Sequence, residues 1–145
     1  MIQNAIKKVV AGVDLSREEA KATMNSIMSG EATAAQIGAF LIAARMKGET
    51  LDEVTGFAEA MRAKATPVAT IHSDAIDMCG TGGDGSGSIN VSTVASLIVA
   101  GGGVPVAKHG NRSISSKCGS ADVLETLGVN IGLSAEQMGQ CLDET

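Results

Sequence analysis

The residues best suited to chemistry lie in two short stretches. The first, Gly80-Thr-Gly-Gly-Asp84-Gly-Ser-Gly-Ser88-Ile-Asn90-Val-Ser92-Thr93, carries five glycines between Gly80 and Gly87 and then turns polar just before an apolar run. Glycines that take positive φ expose bare N–H groups, and such a turn leading into a helix N-terminus makes a concave anion site. The second, Val104-Pro-Val-Ala-Lys108-His109-Gly110-Asn111-Arg112-Ser113-Ile114-Ser115-Ser116, gathers two cations, a histidine and an amide behind a short apolar run. Together they suit a ligand that combines phosphate, diphosphate and ribose hydroxyls. Backbone N–H groups and Lys108 would meet anionic oxygens, Asp84 a hydroxyl, and Ser92 and Thr93 phosphate or a metal ion.

The elements that must position these residues are readable. Residues 75–79 are too short and apolar for a helix and run straight into glycines, so they predict a buried parallel strand. Asn90 or Ser88 would cap a helix with Val91, Val94, Leu97 and Ile98 on one face. Gly101-Gly-Gly103 would close it, and 104–107 would be the second strand of a βαβ unit. Ser120 would then cap a helix over 121–127 with Val123, Leu124 and Leu127 inward and Gly128 as its stop. Ser134-x-x-Gln137 opens a last helix carrying Met138, Cys141 and Leu142.

Upstream, the pattern is helical throughout. Ile2, Ile6, Val9, Val10 and Val13 give an apolar face at helical spacing. Three capping boxes follow, Ser16-x-x-Glu19, Thr33-x-x-Gln36 and Thr50-x-x-Glu53, and Gly30, Gly48 and Thr66-Pro67 end the helices they begin. Their inward stripes are Met24/Ile27/Met28, Ile37/Phe40/Leu41/Ala44 and Val54/Phe57/Ala58/Met61. The expected organisation is α/β: an all-helical subdomain over 1–65, a linker over 66–74, and over 75–145 the first βαβ unit and helices of a parallel-sheet domain. Two strands do not satisfy a parallel sheet, so the sheet reads as incomplete in this chain. Ala34, Ala35, Gly38, Ala39, Ala43 and Ala44 would let one helix pack closely within the subdomain or against a second copy.

Composition narrows the partners. The chain has 145 residues, 44% of them hydrophobic, which is enough for a packed core. Half of its 18 glycines lie between Gly80 and Gly110, so the excess belongs to the candidate site. A net charge of −5 with no Trp or Tyr excludes a nucleic-acid face that works through clustered cations and stacking aromatics. No long apolar span suggests a membrane segment, and no leader is expected. Cys79, Cys118 and Cys141 match no metal-ligand spacing, and the expected compartment is the cytoplasm. The thiols read as a buried strand residue, a loop residue and a helix-core residue in turn. His72 reads as a solvated linker residue, Arg112 as a partner for a nearby acid, and Asp122 and Glu125 as helix-start charges.

Gly80-x-Gly82-x-x-Gly85 formally fits a dinucleotide fingerprint, but the acid expected at the second strand is replaced by Lys108-His109. A Walker loop fails as well, because Ser86 follows Gly85. Gly80-Thr-Gly-Gly-Asp84, Asn90-Val-Ser-Thr93, Lys108-His-Gly-Asn-Arg112 and Gly119-Ser-Ala-Asp-Val-Leu-Glu125 together resemble the signature motifs of the anthranilate phosphoribosyltransferase family. Pyrimidine nucleoside phosphorylases have a related fold, but their Lys-His pair comes immediately before the two glycines, whereas here it lies on the following strand.

The resemblance implies transfer of phosphoribose from phosphoribosyl pyrophosphate to the amine of anthranilate, with release of pyrophosphate, in tryptophan biosynthesis. It implies that Gly80, Gly83, Asp84, Ser88, Asn90, Val91, Ser92, Thr93, Lys108, His109, Gly110, Asn111, Arg112, Ser113, Ile114, Ser115, Ser116 and Ser120 hold the phosphoribosyl donor. Gly80, His109 and Asn111 would line the anthranilate pocket, His109 as lining and not as general base. Ser92 would bind Mg2+, and the enzyme would be a homodimer. The family's paired Asp-Glu metal site and its carboxylate-binding arginine lie beyond Thr145, so the chain reads as a fragment with little or no turnover alone. The alternative is a nucleotide-binding domain without this activity.

Overall fold

Side-chain caps start most of the helices, as local hydrogen bonding dictates. Ser16, Thr33 and Thr50 each accept from the backbone N–H three residues on, and Glu19, Gln36 and Glu53 reach back to the cap N–H. The computed structural model describes residues 1–80, 89–112 and 118–144. Its helices are α1 (Ile2–Val10), α2 (Arg17–Met28), α3 (Ala34–Lys47), α4 (Leu51–Lys64), α5 (Val91–Gly101), α6 (Ser120–Thr126) and α7 (Ala135–Glu144). The chain divides into two compact units, Met1–Thr66 and Pro67–Thr145. The stretch read as a linker over 66–74 is therefore, from Pro67 onward, part of the second unit. None of the described helices is long and apolar enough to cross a membrane.

In the first unit α1 packs on α3 and α2 on α4. Ile2, Ala5, Val9, Leu15, Ala20, Phe40 and Ala44 form the buried core, with Phe57 edge-on to Phe40 at a ring separation of 5.8 Å. The stripes read from periodicity are only partly inward. Val10, Leu41, Val54 and Met61 are at least half exposed, while the small residues Ala20, Thr23, Ser26, Gly56 and Ala60 are buried. The reason is the closeness of the α2–α4 crossing. A Cβ added at Gly56 would lie 2.9 Å from the Lys21 nitrogen and 3.0 Å from Ala20 Cβ, and closer still to the Arg17 carbonyl oxygen. Large side chains cannot enter such a seam.

Glu53 does more than close a cap. It is 2% exposed, and its carboxylate accepts from Leu15 N–H at 2.9 Å, from Thr50 N–H at 2.8 Å and from the Lys47 ammonium at 2.9 Å. Lys47 also donates to Asp14 at 2.7 Å and to the Gly48 carbonyl at 2.8 Å. One buried carboxylate thus joins the start of α4, the end of α3 and the loop before α2. Burial pushes its pKa up, but the Leu15 and Thr50 N–H groups and Lys47 outweigh that and hold it below the usual carboxylate range.

In the second unit the parallel pairing of the two predicted strands is present, but among the described residues it amounts to one bridge, Ile76 with Val106. Ile76 N–H donates to the Pro105 carbonyl at 3.0 Å and Ala107 N–H to the Ile76 carbonyl at 2.9 Å. Pro105 has no N–H to carry the ladder back toward Asp74. In the forward direction, side chains replace it. His109 N–H goes to Asp77 at 3.2 Å, and the Met78 carbonyl accepts from the Lys108 ammonium at 2.6 Å.

Other expectations need correction here. The N-cap of α6 is Gly119, whose N–H donates to Asp122 at 2.8 Å; Ser120 is the first helical residue. Asn90 stands at the N-cap of α5 but its side chain makes no cap bond, while Ser88 lies outside the described residues. Cys79 and Cys141 are exposed, not buried in strand and helix core. His72 is half-buried, with its N–H on the Thr70 hydroxyl at 3.1 Å.

The buried point of α7 is Gly139, which lies against the Ala69 carbonyl so closely that a Cβ would collide with it. Asp143 then accepts from the Thr70 hydroxyl and from Ile71 N–H. Gly139→Ala is expected to destabilise the second unit by about 1–3 kcal/mol despite the higher helix propensity of alanine. Denaturant titration followed by far-ultraviolet circular dichroism checks it, and an unchanged midpoint would contradict the close contact.

Candidate functional site

The bridge between Ile76 and Val106 delivers Asp77, Met78 and Cys79 beside Lys108 and His109. Lys108 Nζ, held at the Met78 carbonyl, lies 3.5 Å from Ser92 Oγ in the first turn of α5. Next to it, Thr93 is 3% exposed, and its Oγ1 has no hydrogen-bond partner among the described residues. The Asn90 side chain makes no cap bond at this helix end and instead donates to the Cys118 carbonyl at 3.4 Å. A helix N-terminus with a hydroxyl in its first turn and a held ammonium beside it has the electrostatics of an anion site. Of the residues proposed from sequence, Asn90, Ser92, Thr93 and Lys108 are brought together here. Gly83, Asp84, Ser88, Ser113, Ile114, Ser115 and Ser116 lie outside the described residues.

The loop after Lys108 turns toward α6. Asn111 O accepts from Ala121 N–H at 3.2 Å, and an added methyl at Gly110 would run into the Ser120 side chain. Arg112 is exposed and salt-bridged to Asp122 at 3.0 Å and Glu125 at 2.8 Å, the acid pairing that the sequence allows. A phosphate on Arg112 would have to compete with those two carboxylates. Gly80, next to the described end of the first strand segment, is exposed.

Sequence reasoning missed Asp77. Its carboxylate takes both the backbone N–H and the ring Nδ1 of His109, so one side chain holds that residue by its main chain and by its ring. Partial burial pushes the Asp77 pKa up, but the His109 N–H, the ring and the Lys108 charge together hold it below the usual range. Asp77 and Cys79 occupy alternate positions of one extended segment. With His109, they offer three ligand atoms within 4.8 Å of one another. The sequence shows only an acid two residues before a cysteine at a strand end, which does not reveal its His109 partner.

Residues 3–65 match the model of a glycosyl transferase family, helical bundle domain, and residues 72–145 that of a glycosyl transferase family, a/b domain. The chain belongs to the glycosyl transferase family. Its similarity to curated members of that family is high. A protein named anthranilate phosphoribosyltransferase from Pelotomaculum thermopropionicum is 61% identical over 99% of this chain and 41% of that protein. One of the same name from Desulforudis audaxviator is 59% identical over 99% of the chain and 42% of that protein. The crystal structure of anthranilate phosphoribosyltransferase from Thermus thermophilus is similar with a TM-score of 0.84 at 44% identity, covering 97% of this chain and 43% of that one. The chain thus spans about two-fifths of the length of the family members it matches.

Proposed function

We propose that this chain supplies the phosphoribosyl-donor half of an anthranilate phosphoribosyltransferase active site. The observation that carries this reading is Lys108 held 3.5 Å from Ser92 in the first turn of α5. High identity to proteins of that name supports the same choice of substrates. The anthranilate amine would attack the anomeric carbon of phosphoribosyl pyrophosphate as the bond to the pyrophosphate oxygen breaks. Such a step needs neutralisation of the leaving charge and alignment of the two reactants more than a strong base. Lys108, the N–H groups of α5 and the Ser92 and Thr93 hydroxyls would bind anionic oxygens. His109, fixed by Asp77, and Asn111 would line the anthranilate side.

Magnesium favours an octahedral oxygen shell built from carboxylates, water and substrate phosphates. The Ser92 hydroxyl is neutral and has an ammonium beside it, so Ser92 and Lys108 do not hold the ion by themselves. No step of the proposed transfer runs through it. A two-fold interface through the helical unit is supported by the exposed apolar residues of α3, where Ile42 is 64% and Met46 83% exposed. Sedimentation of the intact enzyme tests it, and a strictly monomeric result would remove it. A soluble, cytoplasmic location accords with a small-molecule biosynthetic role.

Two variants test the assignment in an intact enzyme containing this segment. Lys108→Ala is expected to raise KM for the phosphoribosyl donor by roughly tenfold or more, since a charge-assisted hydrogen bond contributes about 1.5–3 kcal/mol. Asn111→Ala is expected to act mainly on KM for anthranilate. Equal effects on both substrates would undo the division of roles. Tight binding of a nicotinamide dinucleotide without the phosphoribosyl donor would overturn the function.

A further inference from the structure

Asp77, Cys79 and His109 are the one place among the described residues where three potential metal-ligating side chains converge. All three are exposed, so an ion from solvent has access without any opening of the fold. Two of them sit at alternate positions of one extended segment and project to the same face. The third comes from the parallel neighbour, fixed one bridge away by Ile76 and Val106. The ring of His109 is already anchored by the Asp77 carboxylate. Anchored ligands lose less freedom on binding a metal.

We propose that Asp77, Cys79 and His109 form a binding site for a borderline-soft divalent cation of the zinc type, at the mouth of the anion site and separate from any magnesium chemistry. The donor set decides the class. A thiolate and an imidazole with one carboxylate suit Zn2+ or Co2+, whereas Mg2+ prefers oxygen donors throughout. Three protein ligands also leave a fourth tetrahedral position open to water. On binding, the Cys79 thiol releases its proton to solvent and its sulfur, a ring nitrogen of His109 and a carboxylate oxygen of Asp77 each donate an electron pair. Nothing is oxidised or reduced. The bond between Asp77 and the ring is then replaced by shared coordination.

Metal binding can be read without the proposed reaction, on the chain itself. Cobalt titrated into the reduced protein is expected to produce a thiolate-to-metal charge-transfer absorption that saturates at one equivalent, and zinc is expected to displace it. Cys79→Ser should abolish the band, and Asp77→Asn and His109→Ala should each weaken cobalt binding roughly tenfold or more. Cys118→Ser combined with Cys141→Ser should leave it intact. Circular dichroism of each variant establishes that the fold is kept, which the exposure of these side chains leads one to expect. Absence of the band in the parent protein, or its survival in Cys79→Ser and loss in the double cysteine variant, would overturn the proposal.

Discussion

Glu53→Ala is expected to destabilise the helical unit by about 3–5 kcal/mol, the usual cost of removing one partner of a buried ion pair. The change strands Lys47, whose side chain is 6% exposed, and leaves Leu15 N–H without its acceptor. Asp14, which is mostly exposed, offers Lys47 only part of the lost compensation. Lys47→Ala combined with Glu53→Ala should cost clearly less than the sum of the single changes, because neither charge is then left alone. With no Trp or Tyr in the chain, far-ultraviolet circular dichroism during urea unfolding is the suitable readout. Purely additive single and double variants would show that the pair is not coupled. The same carboxylate predicts a pH effect. Its folded pKa lies below the unfolded value of about 4.3, so its contribution is complete above that value and is lost as pH falls through the folded pKa. Stability should be level near neutrality and drop below about pH 4, and Glu53→Gln should flatten that drop.

Gly56→Val is expected to cost about 3 kcal/mol or more, at the upper end of what overpacking does. The obstruction is main chain of α2, at Arg17 and Lys21, which cannot turn aside as a flexible side chain would. To accept valine, α2 and α4 would have to separate and uncover Ala20 and Ala60, both fully buried. Gly38 provides the control. It lies within α3 with nothing within 4 Å of an added Cβ, so Gly38→Ala should stabilise by about 0.5–1 kcal/mol through propensity alone. Opposite signs at two helical glycines would be hard to explain except by the seam. If both substitutions stabilised, the close approach of α2 and α4 would be wrong.

What could be read from the sequence was local. The caps at Ser16, Thr33, Thr50 and Ser134 each depend on a side chain bonding to backbone within three residues. Gly48, Gly103 and Gly128 have the positive φ expected where helices stop. The parallel partnership of Ile76 with Val106 followed from the crossover helix between them. Non-local choices were hidden. Periodicity marks an apolar face but not the distance between helices, so it favoured Val54 and Met61 over the smaller Gly56 and Ala60. Asp77 escaped notice because its partner, His109, is brought near only by strand pairing. Glu53 looked like an ordinary capping acid, since Leu15 and Lys47 reach it only in the folded unit. In the candidate site the same division holds. Lys108 announces anion chemistry by type and place and Arg112 reads as the partner of an acid, whereas the choice of Asp122 and Glu125 as its partners is made only in the fold.

The pairing of α1 with α3 and of α2 with α4 bears on how the protein is made. Helices that pack on their immediate successors can settle one after another as a chain emerges from the ribosome. Here each main partner is separated by an intervening helix, so α2 waits for α4, and the Glu53 carboxylate is made only after α1, α2 and α3. Until Glu53 has been synthesised, Leu15 N–H lacks its carboxylate, and until α4 is complete at Lys64 the face of α2 that packs on it lacks its main partner. The loop-closure cost is therefore met before most of the packing is gained, as in other folds dominated by distant contacts. Folding of this unit should be a single late event that follows synthesis of α4. A nascent chain arrested before Glu53 would be a natural client for chaperones.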